Sequence, residues 1–219
     1  MTDTEPTGPA HSSASPSTLF STERTKAFID AVVAIAMTLL ILPLMESVAE
    51  FTDAEGGTAA WLKLHDSQLF SFLVSFVLIA LFWMNHHRQF AAVQSISGAL
   101  MWLSAGWMLT IVWLPVATAV TGRMPAEDAV AKAMYFGTMI LTCLFSLAIR
   151  LYLRAHPDMH TTDPDTLARG FAIDVAMTLL FAVSLAVALL FPSVGYMALF
   201  LMALTSVVQR PLAHLFRSR

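Results

Sequence analysis

Apolar positions run along this chain in blocks long enough to cross a bilayer, separated by short polar or charged segments. A membrane-spanning helix needs about 20 mostly apolar residues to cross a hydrocarbon core of ~30 Å. The first block covers residues 26–45, with Thr22 a candidate N-cap just ahead of it. The second lies within 67–90. A stretch of 34 residues without formal charge, 89–122, holds the third at about 99–120, and 129–153 supplies the fourth. The last stretch, from about Leu167 to Phe216, would be ~75 Å long as one helix at 1.5 Å per residue, too long for any bilayer. Pro192 and Gly195 offer a break and a tight turn. It therefore divides into a fifth span, 168–191, and a sixth, 194–215. Residues 1–21, rich in Ser, Thr and Pro, read as a disordered tail, and 217–219 as a short C-terminal tail. The N-terminal tail lacks the basic start of a signal peptide, so the first span is expected to stay as an anchor.

Composition agrees with this layout. Of 219 residues, 57% are hydrophobic and only 12% charged, about half the charge of a soluble domain. Mean hydropathy is +0.70. So few charges cannot cover a water-soluble surface, which excludes a soluble enzyme. The net charge of −3 argues against a nucleic-acid footprint. One cysteine, Cys143, can form neither an intrachain disulfide nor a thiolate metal site. The fold class expected is all-α, polytopic, with six spans.

Charge placement sets the orientation. With both termini cytoplasmic, the inner side carries Arg24, Lys26, Arg88, Arg150, Arg154, Arg169, Arg210, Arg217 and Arg219, and the outer side only Lys63, Arg123 and Lys132. That is the positive-inside bias. Five spans would put the last three arginines outside.

Ionisable groups inside spans are costly and mark candidate sites. Asp30 sits about one turn inside the first span, and Asp174 at similar depth in the fifth. Trp83-Met-Asn-His-His-Arg88 ends the second span on the same side. Arg24, Asp30, Asn85, His86 and His87 are thus expected at one depth, in a polar cluster that either fixes helix packing or acts as a gate or proton-sensitive latch, since histidine titrates near neutral pH. The His156-Pro-Asp-Met-His160 pair is interrupted by Pro157 and lacks the intervening Glu of a metalloprotease helix, so it reads as a loop. No nucleophile elbow, P-loop or dinucleotide fingerprint occurs, so no catalytic, cofactor-binding or metal residue is assigned.

Arg24-Thr-Lys-Ala-Phe28-Ile-Asp30, followed by an apolar run containing Ala-Ile-Ala-Met-Thr38-Leu-Leu, resembles the first-helix signature of the endosomal and lysosomal potassium channel family, transmembrane protein 175: R-x-x-x-F-S-D, then A-I-A-x-T-L-L. Trp83-Met-Asn-His-His87-Arg-Gln-Phe90 resembles that family's W-x-x-H-H-x-x-F. Ile29 stands where the family has Ser, which removes a hydroxyl from the polar cluster. A single six-span unit is similar to the prokaryotic members, which are tetramers. The resemblance implies a homotetramer in the cell membrane, four first helices lining a pore for potassium, no cofactor, and an apolar constriction at Ile35, Leu39 and Leu42 with Thr38 as a polar layer. There is no T-V-G-Y-G carbonyl filter.

The periodicity is compatible with this. Phe28, Val32, Ile35, Leu39, Leu42 and Glu46 share one helical stripe. Such a stripe also suits lipid or a packed neighbour. Glu46 ends it at the outer side, where Glu50, Asp53, Glu55, Asp66, Glu127 and Asp128 add a field attractive to monovalent cations. The alternatives are a proton- or cation-coupled transporter using Asp30 or Asp174, and a membrane scaffold subunit. Transporters usually break helices near the midplane. Here Pro43 and Pro192 lie near span ends, Pro115 lies in the outer part of its span, and the first span has no glycine.

Overall fold

The computed structural model describes residues 21–51, 57–125 and 127–191, and every regular element among them is helical. The elements are α1 (Thr22–Leu39), α2 (Leu42–Glu50), α3 (Gly57–Leu64), α4 (Asp66–Phe90), α5 (Gly98–Arg123), α6 (Ala129–Ala155) and α7 (Pro164–Leu190). Five spans have the length and apolarity to cross a membrane: α1 with α2 as one unit, then α4, α5, α6 and α7. The sixth expected span, 194–215, and its break at Pro192 lie outside the described residues, as do residues 1–20 and 217–219.

The span boundaries follow from local chemistry. Ser21, not Thr22, caps α1: its Oγ accepts the Arg24 N–H at 3.3 Å, leaving Thr22 inside the first turn. Asp163 caps α7 through the Thr166 N–H, and Pro164 occupies the first turn where no N–H is needed. That moves the start of α7 four residues ahead of the expected 168. The first span is broken. Pro43 cannot donate to the Leu39 carbonyl, so the helix stops at Leu39, turns through Leu40 and Ile41, and resumes with Pro43 in the first turn of α2.

Spans alternate in direction, so one end of the bundle gathers the start of α1, the end of α4, the start of α5, the end of α6 and the start of α7. We call this the near end. Large side chains fill the interior, among them Trp107, Phe82, Phe136, Phe181 and Leu114. Gly106 on α5 lets the Phe145 ring of α6 lie against its backbone, where a methyl would overlap the ring. Buried hydroxyls satisfy one another between helices. Thr118 Oγ1 donates to Ser75 Oγ at 2.8 Å, Ser75 pairs with the Tyr135 hydroxyl at 2.9 Å, and Thr142 donates to Thr110 at 2.9 Å.

Lys132, expected on the outer side, lies at the end of the bundle opposite the near end, where its side chain is buried and its Nζ donates to the Ala188 carbonyl at 2.8 Å. A cation there complements the C-terminal end of the α7 dipole.

Candidate functional site

α1 has two distinct faces. Thr25, Ile29, Val33 and Ala36 are buried against α4 and α5, and Leu40 and Leu44 continue that face. The opposite face carries Phe28 and Ile35, which are 59% and 58% exposed, and exposed Leu39, and exposed Leu42 continues it at the start of α2. Val32 is half-buried between the faces. The stripe read from spacing is therefore the side of α1 that this chain leaves uncovered. Thr38 is on that side too, with its hydroxyl donating back to the Ile35 carbonyl at 2.7 Å. The oxygen keeps free acceptor capacity while its proton is committed. Ile29, at the position of the family's serine, is fully buried, so an apolar side chain costs nothing there.

At the other end of the stripe, Glu46 has a partner from a distant helix. Arg123, at the end of α5, donates through Nη2 to Glu46 Oε2 at 2.6 Å, with both side chains about half exposed. The sequence gives no signal for this pairing across 77 positions.

The polar residues of the near end do not form one cluster. They divide between two sides of α4. On one side, the Trp83 indole Nε1–H donates to Asp30 Oδ1 at 2.7 Å, which joins α4 to α1. Beside this contact lies a cavity of about 350 Å³ lined by Glu23, Lys26, Asp30, His86, His87 and Phe90. Lys26 Nζ is 3.1 Å from Glu23. Arg24 and His87 are exposed, with the His87 ring 5.6 Å from that of Trp83. His86 is buried between aromatic rings, 4.4 Å from Phe90 and 4.1 Å from Trp107 between centroids. Its Nε2 has no hydrogen-bond partner among the described residues. The two adjacent histidines thus occupy opposite environments, because neighbours on a helix point about 100° apart.

On the other side of α4, Asn85 Nδ2–H donates to Asp174 Oδ1 at 2.8 Å, and Arg150 Nε–H donates to Asp174 Oδ2 at 2.5 Å. The Arg150 and Asp174 side chains are 7% and 1% exposed. The guanidinium lies against Gly170, in space a larger residue would fill. Arg150 and Gly170 were not singled out from sequence. The available signal was the position of Arg150, five residues inside the end of α6, where a charge needs a counter-charge.

The loops at the near end are tied together. Gln94 N–H donates to the Met159 carbonyl at 2.9 Å and Thr161 N–H to the Ala92 carbonyl at 3.1 Å, around an isolated bridge between Val93 and His160. The Gln94 carbonyl accepts the Thr22 hydroxyl at 2.8 Å. His156 and His160 are turned to the Tyr152 and Leu153 carbonyls at 2.9 and 3.0 Å. Among the described residues, no group of three His, Cys, Asp or Glu side chains could hold a metal ion.

Residues 24–115 match the family described as "Endosomal/lysosomal potassium channel TMEM175". A potassium channel of Streptomyces collinus is 34% identical over 133 residues, 59% of this chain and 63% of that relative. A potassium channel of Chamaesiphon minutus is 31% identical over 121 residues, 54% of this chain and 59% of that one. The human endosomal/lysosomal proton channel TMEM175 is 29% identical over 137 residues, which is 27% of its length. The chain thus spans about three fifths of the length of the bacterial relatives it matches. In three dimensions it is similar to the crystal structure of a lysosomal potassium-selective channel TMEM175 homolog from Chamaesiphon minutus, with TM-score 0.62, 23% identity, and 90% of this chain and 97% of that chain covered. At that identity the likeness establishes the fold.

Proposed function

We propose that this chain, which matches the endosomal/lysosomal potassium channel TMEM175 family over residues 24–115, is a member of that family and forms a passive potassium-conducting channel of four copies, with α1 of each lining the pore. Ile35, Leu39 and Leu42 form the apolar constriction, Thr38 the polar layer beside it, and Glu46 the outer mouth. The near end is cytoplasmic, both termini included, and the protein is a multi-pass protein of the cell membrane. No cofactor is needed and no reaction is catalysed: permeation follows the electrochemical gradient of the monovalent cation.

The single observation that supports this most is the division of α1. Its buried face anchors it to α4 and α5, while the face with Phe28 and Ile35, continued by Leu42 in α2, is left open within the chain. That open face also carries Thr38 and ends in Glu46, polar groups that suit an ion path better than acyl chains. A ring of branched apolar side chains gates by dewetting and passes an ion only when wide enough to keep water beside it. The transporter alternative is weakened by the occupation of Asp174, whose two oxygens are taken by Arg150 and Asn85. A coupling carboxylate must release its partners in each cycle, and here both are held within the bundle.

Single-channel recording of the purified protein in a planar bilayer tests the proposal. Unitary current steps are expected from the unmutated protein, and Ile35→Asn raises the step size and weakens discrimination of potassium from sodium. Val183→Asn, on the exposed face of α7, is the control and leaves both unchanged. Unaltered conductance and reversal potential in an assembled Ile35→Asn tetramer would refute the assignment of Ile35 to the pore.

A further inference from the structure

The buried ion pair lies away from the open face of α1, yet it is connected to it. Trp83 and Asn85 are two positions apart on α4, about 200° around the helix. One reaches Asp30 on α1 and the other reaches Asp174 on α7. The same turn of α4 is therefore gripped from both sides, and a single rotation of α4 satisfies both contacts. Arg150 completes the grip by holding the second oxygen of Asp174. At the buried Arg150–Asp174 end of this chain of contacts the arrangement is rigid, because a lost bond would leave a polar group unpaired in a low dielectric.

A second connection runs parallel to the first. The segment joining α6 to α7 holds the segment after α4 by the Gln94–Met159 and Thr161–Ala92 backbone bonds, and the Gln94 carbonyl holds Thr22 at the start of α1. The α6–α7 pair thus reaches α1 at two levels, Thr22 and Asp30, about 12 Å apart along the helix. Ile35 lies about 7.5 Å beyond the upper one. A shift of α6 and α7 moves both attachment points together, directly below the expected constriction.

We propose that Arg150 and Asp174 are positioning residues for the pore: through Asn85 they set the rotation of α4, and through Trp83 and Asp30 they set the placement of the near half of α1, so that they govern how often the pore opens and not how fast ions pass through it. This rests on α1 being the pore helix. The ion pair does not touch the ion path, so the unitary conductance is independent of it. Coupling between separated sites requires an element with two arrangements that both sites bias, and the helices that the pair clamps take that part.

Two variants separate coupling from folding. Asn85→Leu cuts the link to α4 while Arg150 and Asp174 remain paired with each other. Arg150→Met combined with Asp174→Leu removes the pair whole, leaving no buried charge unpaired, a replacement that buried ion pairs generally tolerate. Each is reconstituted as the full chain and recorded at the single-channel level. The expected result is an open probability changed about fivefold in both variants, with unitary conductance and reversal potential equal to those of the unmutated channel. The triple variant should change no further, because all three residues act along one path. Open probability within about twofold of the unmutated value in either assembled variant overturns the proposal, as does a changed conductance. Ile35→Asn in the same series keeps the two proposals distinct. An unmoved conductance there removes the pore assignment, whereas an unmoved open probability in Asn85→Leu removes only the coupling.

Discussion

Replacing Gly170 by Ala should destabilise this protein, although the same change at Gly137 should not. Both glycines lie in helix interiors, where Ala restricts the unfolded backbone and is normally favoured by about 0.5–1 kcal/mol. At Gly137 an added methyl meets nothing within 4 Å, so only that gain remains. At Gly170 the methyl would occupy the place of the Arg150 guanidinium. A flexible arginine could move aside, but this one is buried and held to Asp174 at 2.5 Å. Displacing it breaks a buried ion pair, which costs about 3–5 kcal/mol because a charge is left without its partner. The net loss is about 2–4 kcal/mol once the backbone gain is subtracted, and at the scaling of a chain this size it lowers the melting temperature by roughly 10 °C. Thermal unfolding of the detergent-solubilised protein, followed by tryptophan fluorescence, measures it. Gly170→Ala combined with Arg150→Met and Asp174→Leu should recover most of the loss, since the guanidinium that the methyl displaces is gone. A Gly170→Ala protein that melts at or above the unmutated one would show that Arg150 yields freely and that the pair is not held as described.

The outer mouth gives a prediction with opposite signs. Glu46→Gln should reduce inward current at about 0.05 M salt and matter little at about 1 M, where the Debye length is ~3 Å. Arg123→Gln releases the carboxylate from its partner and should raise inward current under the same low-salt conditions. Equal current ratios at both salt concentrations for both variants would rule out a field at the mouth. At the near end, the partner of Asp30 is a neutral indole, so Asp30→Asn keeps an acceptor for Trp83 while Asp30→Leu does not. Asp30→Leu should lose about 1.5–3 kcal/mol of stability and Asp30→Asn less, read as tetramer yield and melting temperature. An equal loss in both variants would mean that the charge, and not the hydrogen bond to Trp83, is what matters there.

Hydropathy alone was sufficient to find the five described spans, because the cost of exposing backbone and polar side chains to hydrocarbon is paid locally, residue by residue. Periodicity put Phe28, Ile35 and Leu42 on one stripe but left open whether a neighbour covers it; the packed bundle buries Ile29, Val33 and Ala36 on the opposite face and leaves the stripe open within the chain. Motif spacing was likewise enough to bring Asp30, Trp83 and Asn85 to one end of the bundle. What sequence did not contain was the choice of partner. Asp30 pairs with Trp83 rather than with Arg24 or a histidine, Asn85 turns to Asp174, and His86 is enclosed by Phe90 and Trp107. Glu46 finds Arg123 across 77 positions, and Lys132 is drawn inside to the end of α7. Each of those outcomes depends on how far one helix is rotated and shifted against another. That is decided by close contacts such as Gly106 on Phe145 and Gly170 on Arg150. The period of a single helix tells which residues share a face, but a rotation of a few tens of degrees relative to its neighbour changes which groups meet, and only the packed bundle sets that angle.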